Sequence, residues 1–332
     1  MKSNKVNLAI IGMGYWGGNF YRLVNSNKNL FNLKAVVDEN INYLSTNFDS
    51  TITLYNSIKK MLNSNLEIDA AIVTTPTSTH YEITKQLLES NISCLVEKPL
   101  TTDLKQANQL YKIAEKNNLV LMVDHTFLYE KSILALRKLI KEGGLGNILH
   151  ISFERSNLGP IRTDTNAAWD LSTHDLSILF SLLDDDIKKI NVSGKAFLNN
   201  GIQDIVSISL EFTDVFVTLF SSWLHPEKSR IIKVVGDKKM AVWNGLKPDQ
   251  ELSILDKGLE ERMPSNDYSV NIYKIKSGDI TIPNIDRSEP LKDVLIDFYN
   301  LINNESGNEL NTKELAIKVV RSMEEIDLIL NN

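Results

Sequence analysis

The 332-residue chain has one cysteine, only 8 prolines and no long apolar run. A single cysteine excludes an internal disulfide, and Cys94 lies inside the apolar run 92–96, where packing is its ordinary role; this fits a reducing compartment. No stretch approaches the roughly 18 apolar residues of a membrane helix. The opening MKSNKVNLAIIGMGYWGG starts basic and turns apolar, as a signal peptide does. However, its apolar part is short, is interrupted by Gly12, Gly14 and Gly17, and lacks a small-residue cleavage site, so a cytoplasmic protein is expected. Neither charge sign is in large excess: 36 Lys and Arg face 42 Asp and Glu, interspersed, for a net charge of -6. That balance argues against a nucleic-acid or acidic-membrane partner. No His, Cys or acidic pair has metal-ligand spacing, and no internal repeat is found.

What is present is an ordinary globular composition, 42% hydrophobic and 23% charged, in a chain long enough for two domains. Residues 6–11, 33–37, 68–74, 92–96 and 120–123 are short apolar runs, as in parallel strands buried on both faces. Helical patterns separate them over 15–25, 41–47, 56–62, 78–90 and 103–115, with Asp103 as an N-cap. After a basic amphipathic helix over 132–141 the character changes. Strand patterns over 148–155, 187–197, 204–212, 215–223, 230–235 and 240–243 are mostly joined by turns, as in an antiparallel sheet. A helix over 168–183 interrupts them, and two helices close the chain over 290–303 and 312–330. The expected fold class is α/β: a doubly wound parallel sheet over 1–125, then an α+β domain over 126–332 with a large, mostly antiparallel open sheet. The last helices are free to pack back on the first domain.

Gly12-Met13-Gly14-Tyr15-Trp16-Gly17 ends the first strand and opens a helix, the setting a dinucleotide-binding loop requires. The first glycine allows the tight turn, the second lets backbone approach a pyrophosphate, and the third lets helix pack on strand. Asp38 ends the second strand, 21 residues after Gly17, where a carboxylate can accept from the adenosine ribose. Glu39 and Asn40 follow it, so a 2′-phosphate would meet negative charge, and NAD is the expected cofactor over NADP.

Two further motifs follow strand ends: Thr74-Thr75-Pro76-Thr77-Ser78-Thr79-His80 and Glu97-Lys98-Pro99. With the glycine loop and an Asp-x-x-x-His helix in the second half, the whole chain resembles the glucose–fructose oxidoreductase / inositol dehydrogenase (Gfo/Idh/MocA) family. The resemblance implies an NAD(P)-dependent dehydrogenase acting on CH–OH groups. It implies that Lys98 lies beside the nicotinamide before a cis-proline bond, that Thr74, Thr75, Pro76 and His80 border the cofactor, and that Glu97 meets the nicotinamide ribose. In Trp169-Asp170-Leu-Ser-Thr-His174-Asp175 it marks Asp170 and His174 as catalytic partners of Lys98. Sheet faces in the family pack on each other, which implies a homodimer or homotetramer. Two departures stand out: Ser172 replaces a frequent glycine, and Ser177 an aspartate, while Asp175 directly follows the histidine.

The spacing of Asp170 and His174 places both on one helical face. Oxidising a secondary alcohol by hydride loss needs a proton acceptor at its oxygen, and histidine titrates in the right range. The expected roles are His174 as general base, Lys98 as electrostatic partner and proton relay, and Asp170 as orienter. The division of acid/base work between Lys98 and His174 stays open. His80 and His125 lie just past strand ends, where ligands collect; each is equally readable as a helix cap or a seal. His150 and His225 read as structural.

Arg155, Asn157, Arg162, Asn166 and Trp169 form a polar segment before the Asp170 helix. The arginines could grip a phosphate or carboxylate and Trp169 could stack on a sugar or base, or the arginines could bridge subunits. The segment resembles relatives acting on sugar nucleotides in surface-polysaccharide synthesis, so the expected substrate is a nucleotide-linked sugar oxidised at a ring hydroxyl, C3 above others. The alternatives are a free-sugar or inositol dehydrogenase or reductase and, in another class, a catalytically silent NAD-binding regulator.

Overall fold

A computed structural model describes residues 5–40, 48–198, 201–260 and 274–331. The helix expected over 41–47 lies outside them. The chain divides into two compact units, Met1–Tyr129 with Glu289–Glu324, and Glu130–Ser288 with Glu325–Asn332.

The first unit is built on six parallel strands: β1 (Val6–Ile11), β2 (Phe31–Val37), β3 (Thr53–Tyr55), β4 (Ala70–Val73), β5 (Ser93–Glu97) and β6 (Leu121–Asp124). Their order is β3-β2-β1-β4-β5-β6. The inner strands are apolar on both faces and fully buried, because helices cover both sides: β4 reads Ala-Ala-Ile-Val and β5 Ser-Cys-Leu-Val-Glu, with every residue buried. Between strands run α1 (Tyr15–Ser26), α2 (Ile58–Leu62), α3 (Thr77–Glu89) and α4 (Leu104–Lys116). Asp103 caps α4 as expected, its carboxylate accepting from Gln106 N at 2.8 Å. A single 3-10 turn, Thr126–Tyr129, follows β6. The order reverses between β1 and β4, so the chain leaves their C-terminal ends in opposite directions and opens a crevice there.

The second unit carries an eight-stranded sheet: β7 (Ile148–Leu158), β8 (Lys189–Lys195), β9 (Ile205–Glu211), β10 (Phe216–Ser222), β11 (Leu224–Gly236), β12 (Met240–Asn244), β13 (Leu252–Glu260) and β14 (Lys274–Thr281). The order is β14-β13-β12-β11-β7-β10-β9-β8. All neighbours are antiparallel except β7 and β10. Alternation turns Ile151, Phe153, Ile208, Val217, Leu219, Ile232, Val234 and Trp243 to one buried face. That face is covered by α5 (Lys131–Lys141), a π turn (Ala168–Ser172) and α6 (Thr173–Leu182). Every residue of α6 except His174 is buried. The other face carries Phe216, Phe220, Ile231, Val235 and Val242 among polar residues, none of them buried.

Helices α7 (Pro290–Ile302) and α8 (Lys313–Leu330) end the chain; Ala316, Ile317 and Val320 of α8 join the first unit's core. No helix among the described residues is long and apolar enough to cross a membrane.

Fully buried Trp243 donates its indole N–H to Ser132 Oγ at 2.7 Å, tying β12 to α5. Trp243→Phe strands that hydroxyl in the core and is expected to lower the unfolding free energy by about 1–3 kcal/mol in urea titrations.

Candidate active site

In the first unit the motifs gather along the C-terminal ends of the strands. Gly12 adopts φ +92°, and a Cβ there would lie 3.0 Å from the Thr74 carbonyl. A Cβ at Gly17 would lie 2.1 Å from Gly12 O, so helix α1 can reach its strand only without a side chain. Over Gly14, by contrast, nothing lies within 4 Å. The middle glycine therefore faces an open cradle at the start of α1, whose first turn holds no acidic residue and whose N-cap makes no side-chain bond. Free N–H groups and the helix dipole suit a pyrophosphate there.

Two contacts fix this loop. The Thr74 hydroxyl donates to Gly12 O at 2.8 Å, joining β4's end to β1's. The Asp38 carboxylate accepts from Met13 N at 2.7 Å and Asn40 N at 2.9 Å. A carboxylate has about four acceptor positions, so Asp38 retains capacity for ribose hydroxyls while its charge stays beside them. The residues present thus fit NAD, with Gly12–Gly17 around its phosphates and Asp38 at its adenosine ribose.

His80 is buried, with Nδ1 at 2.8 Å from Pro99 O and Nε2 at 2.8 Å from Thr75 O. It ties the Thr75-Pro76 loop to the turn after β5, resolving the cap-or-contact alternative toward a bridge between two loops. A neutral imidazole donates to one of these carbonyls, and only the imidazolium donates to both. The Lys98–Pro99 peptide is cis. Glu97 and Lys98 are buried at the end of β5, and Glu97 pairs in register with Asp124 on β6.

Asp124 and His125 follow, both buried. Burial raises Asp124 to about 6, opposed by the Thr126 hydroxyl at 2.6 Å and by Lys98. Burial and the Lys98 charge lower His125 to about 3, and neither ring nitrogen has a hydrogen-bond partner among the described residues. His125 is therefore a neutral ring near pH 7. Asp124 escaped the sequence reading because a single acid closing a strand looks like any loop residue.

In the second unit Asp170 lies in the π turn. Its carboxylate accepts from Arg162 Nε at 2.7 Å and Trp223 Nε1 at 3.1 Å, which fixes its orientation. His174 lies in the first turn of the α-helix that follows. Arg155 donates through Nε (3.0 Å) and Nη2 (2.8 Å) to Asp175 Oδ1, a buried ion pair between β7 and α6. Arg230, opposite Arg155 on β11, is pushed down to about 10 by burial and by Arg155, and remains charged. Asn166 accepts from Trp169 N at 3.1 Å and donates to Asp327 at 2.8 Å, so it works as a helix cap. Trp169 is only 4% exposed and packs in the interior. Asn157 lies near the end of β7, partly buried. The arginines expected to act together are thus separated in role: Arg162 holds Asp170, while Arg155 holds Asp175. Trp223 and Arg230 were not singled out from sequence, since each acts through a partner remote in the chain, and Asp175, noted only as the acid directly after His174, gave no sign of its pairing with Arg155. Among the described residues no three His, Cys, Asp or Glu form a metal-binding group.

Two family models match the chain: an oxidoreductase family with an NAD-binding Rossmann fold over residues 6–125, and the GFO/IDH/MocA C-terminal domain over 133–242. The chain belongs to the GFO/IDH/MocA family of oxidoreductases, and its first unit is that family's NAD-binding Rossmann fold. It is 32% identical over 117 residues to UDP-N-acetylglucosamine 3-dehydrogenase of Acidithiobacillus ferrooxidans, a match spanning 35% of this chain and 36% of that enzyme. The solved structure of that enzyme superposes with TM-score 0.78 over 99% of this chain and 98% of its own, at 19% identity. Uncharacterized oxidoreductase YdgJ of Escherichia coli is 24% identical over 98% of this chain and 96% of its own length. The WlbA dehydrogenase of Bordetella pertussis, solved with NADH and UDP-GlcNAcA, shares the fold with TM-score 0.79 at 14% identity, over 98% of this chain and 96% of its own.

Because the His125 ring in the folded protein titrates near 3, the unfolded chain binds the extra proton between about pH 6.5 and pH 3. Stability supplied by the neutral ring is therefore lost as pH falls through that window. His125→Phe removes this penalty: its unfolding free energy relative to the unsubstituted protein should rise by about 2 kcal/mol from pH 6.5 to pH 5, read by urea titration at each pH.

Proposed function

We propose that this protein oxidises a ring hydroxyl, at C3, of a nucleotide-linked sugar with NAD, in making sugars for a surface polysaccharide. The observation that carries the reading is the carboxylate of Asp170, held by Arg162 and Trp223 at the turn that leads into His174, in a chain whose first unit is an NAD-binding fold. The 117-residue match to a UDP-N-acetylglucosamine 3-dehydrogenase supports the substrate class.

NAD held by Gly12–Gly17 and Asp38 would supply the acceptor for the hydride that the carbinol carbon loses. His174 takes the hydroxyl proton as general base. The Lys98 ammonium stabilises negative charge developing on that oxygen, and the low exposure of Lys98 keeps water from screening it. Asp170, with its orientation fixed, orients the histidine or receives a further sugar hydroxyl. Asp38 selects NAD, since a 2′-phosphate beside it would be repelled. Arg162, whose side chain is 42% exposed, keeps donors for an anionic group of the substrate.

The protein also works as a homo-oligomer in this reading. Among the described residues of one chain nothing buries the sheet face bearing Phe216, Phe220, Ile231 and Val242, and Phe216 is 44% exposed. A second copy covers it.

Purified protein with NAD and UDP-N-acetylglucosamine or its uronic acid should build up reduced-nicotinamide absorbance, with NADP far less effective. Lys98→Met and His174→Ala should each lower kcat by roughly 10²–10⁴-fold. Turnover on free hexoses or inositols alone would remove the nucleotide-sugar reading, and near-normal turnover by both variants would remove the assigned roles. In sedimentation, the protein should run as a dimer or tetramer and Phe216→Asp as a smaller species.

A further inference from the structure

The turn that presents Asp170 is held at both ends. Arg162 and Trp223 donate to the Asp170 carboxylate, and Ser172 Oγ lies 2.7 Å from Ser221 Oγ on β10. The start rests on Asn166, a buried residue just before helical backbone begins at Ala167. Asn166 O accepts from Asp170 N at 3.1 Å, and Asn166 Oδ1 accepts from Trp169 N at 3.1 Å. The first N–H groups of a helix lack backbone acceptors, and Trp169 is buried, so water is a poor substitute for that side-chain oxygen.

What points the Asn166 amide this way lies at the far end of the chain. Asn166 Nδ2 donates to Asp327 Oδ1 at 2.8 Å. A carboxylate only accepts and a backbone N–H only donates, so the two partners together dictate which end of the amide faces Trp169. Asp327 is half-buried, on the part of α8 that belongs to the second unit. Its other oxygen, Oδ2, accepts from Asn331 Nδ2 at 3.1 Å. Gln203 completes the group: its backbone O accepts from Ala167 N at 2.9 Å, and its side-chain amide bridges Asn166 and Asn331, 3.4 Å from each.

We infer that Asp327 is a positioning residue for Asp170: it orients the Asn166 amide, whose oxygen caps Trp169 and thereby fixes where the turn begins. The consequence for turnover rests on the proposed role of Asp170, while the pairing itself does not. The pair can be inverted. Asn166→Asp keeps an oxygen for Trp169 N but sets a second carboxylate against Asp327. Adding Asp327→Asn returns a donor to the pair, with the hydrogen bond now running the other way.

The test uses the full-length protein and reads hydrogen exchange at the Trp169 and Asp170 amides, then turnover of UDP-N-acetylglucosamine with NAD. Asn166→Asp alone and Asp327→Ala alone should each speed exchange at both amides and lower kcat, by roughly 10-fold in each case, while the NAD Kd stays within about twofold. Asn166→Asp combined with Asp327→Asn should bring both readouts back to within about threefold of the unsubstituted protein. If Asn166→Asp does not fold, Asp327→Ala is compared with Asp327→Asn, which keeps an acceptor and should show little of the loss. Unchanged exchange in Asp327→Ala, or no recovery in the combined variant, overturns the inference. Faster exchange with unaltered kcat overturns it too, because such a cap positions nothing. Exchange is measured without substrate, so a failure to turn over UDP-N-acetylglucosamine counts against the proposed reaction and leaves the pairing to be decided by exchange.

Discussion

The hydrogen bond from the Thr74 hydroxyl to the Gly12 carbonyl is the small contact on which the cofactor end of the first unit depends. Strand order reverses between β1 and β4, and chains leaving a switch point diverge. Gly12 turns in the left-handed region against Thr74, Gly17 lets α1 close on the same carbonyl, and Asp38 holds Met13 from the next strand. Three strand ends are thereby knitted into one rim before any ligand is considered. His80 extends the rim to a fourth, taking Thr75 O on one side and Pro99 O on the other. Preorganisation of this kind lowers the ordering cost of binding an extended dinucleotide.

Much of the fold was legible in the sequence because the driving patterns are local. Continuous apolar runs such as Ala-Ala-Ile-Val declare parallel strands, alternation declares strands with one covered face, and the glycine loop states its own geometry. What escaped lacks such a signal. Strand β3 is three residues at the edge of its sheet, and β14 reads Lys-Ile-Lys-Ser-Gly-Asp-Ile-Thr, too polar to look like a strand. The parallel pairing of β7 with β10 inside an otherwise antiparallel sheet is decided by topology, not by either strand's residues.

The site residues divide in the same way. Motif positions were legible, while partners were not. Arg155 and Arg162 look alike in a polar segment, yet one faces the covered side of the sheet and pairs with Asp175 in the interior, while the other reaches Asp170 at the rim of the π turn. Arg155 lies on β7, where register decides which face a residue takes, whereas Arg162 lies in the segment after that strand. Trp169 shows the same limit: the sequence offers an aromatic beside an acid, and packing turns it inward. Asp124 is recognisable only once β5 and β6 are paired and Glu97 is seen beside it.

The π turn that carries Asp170 winds the backbone with i→i+5 bonding before α6 resumes normal pitch. Relative to an α-helix it accommodates one surplus residue, so the segment can be described as a helix that absorbed a single-codon insertion. The extra residue is taken up within 168–172, so the carboxylate of Asp170 meets Arg162 and Trp223 from a wider turn while α6 keeps its ordinary pitch and its buried packing.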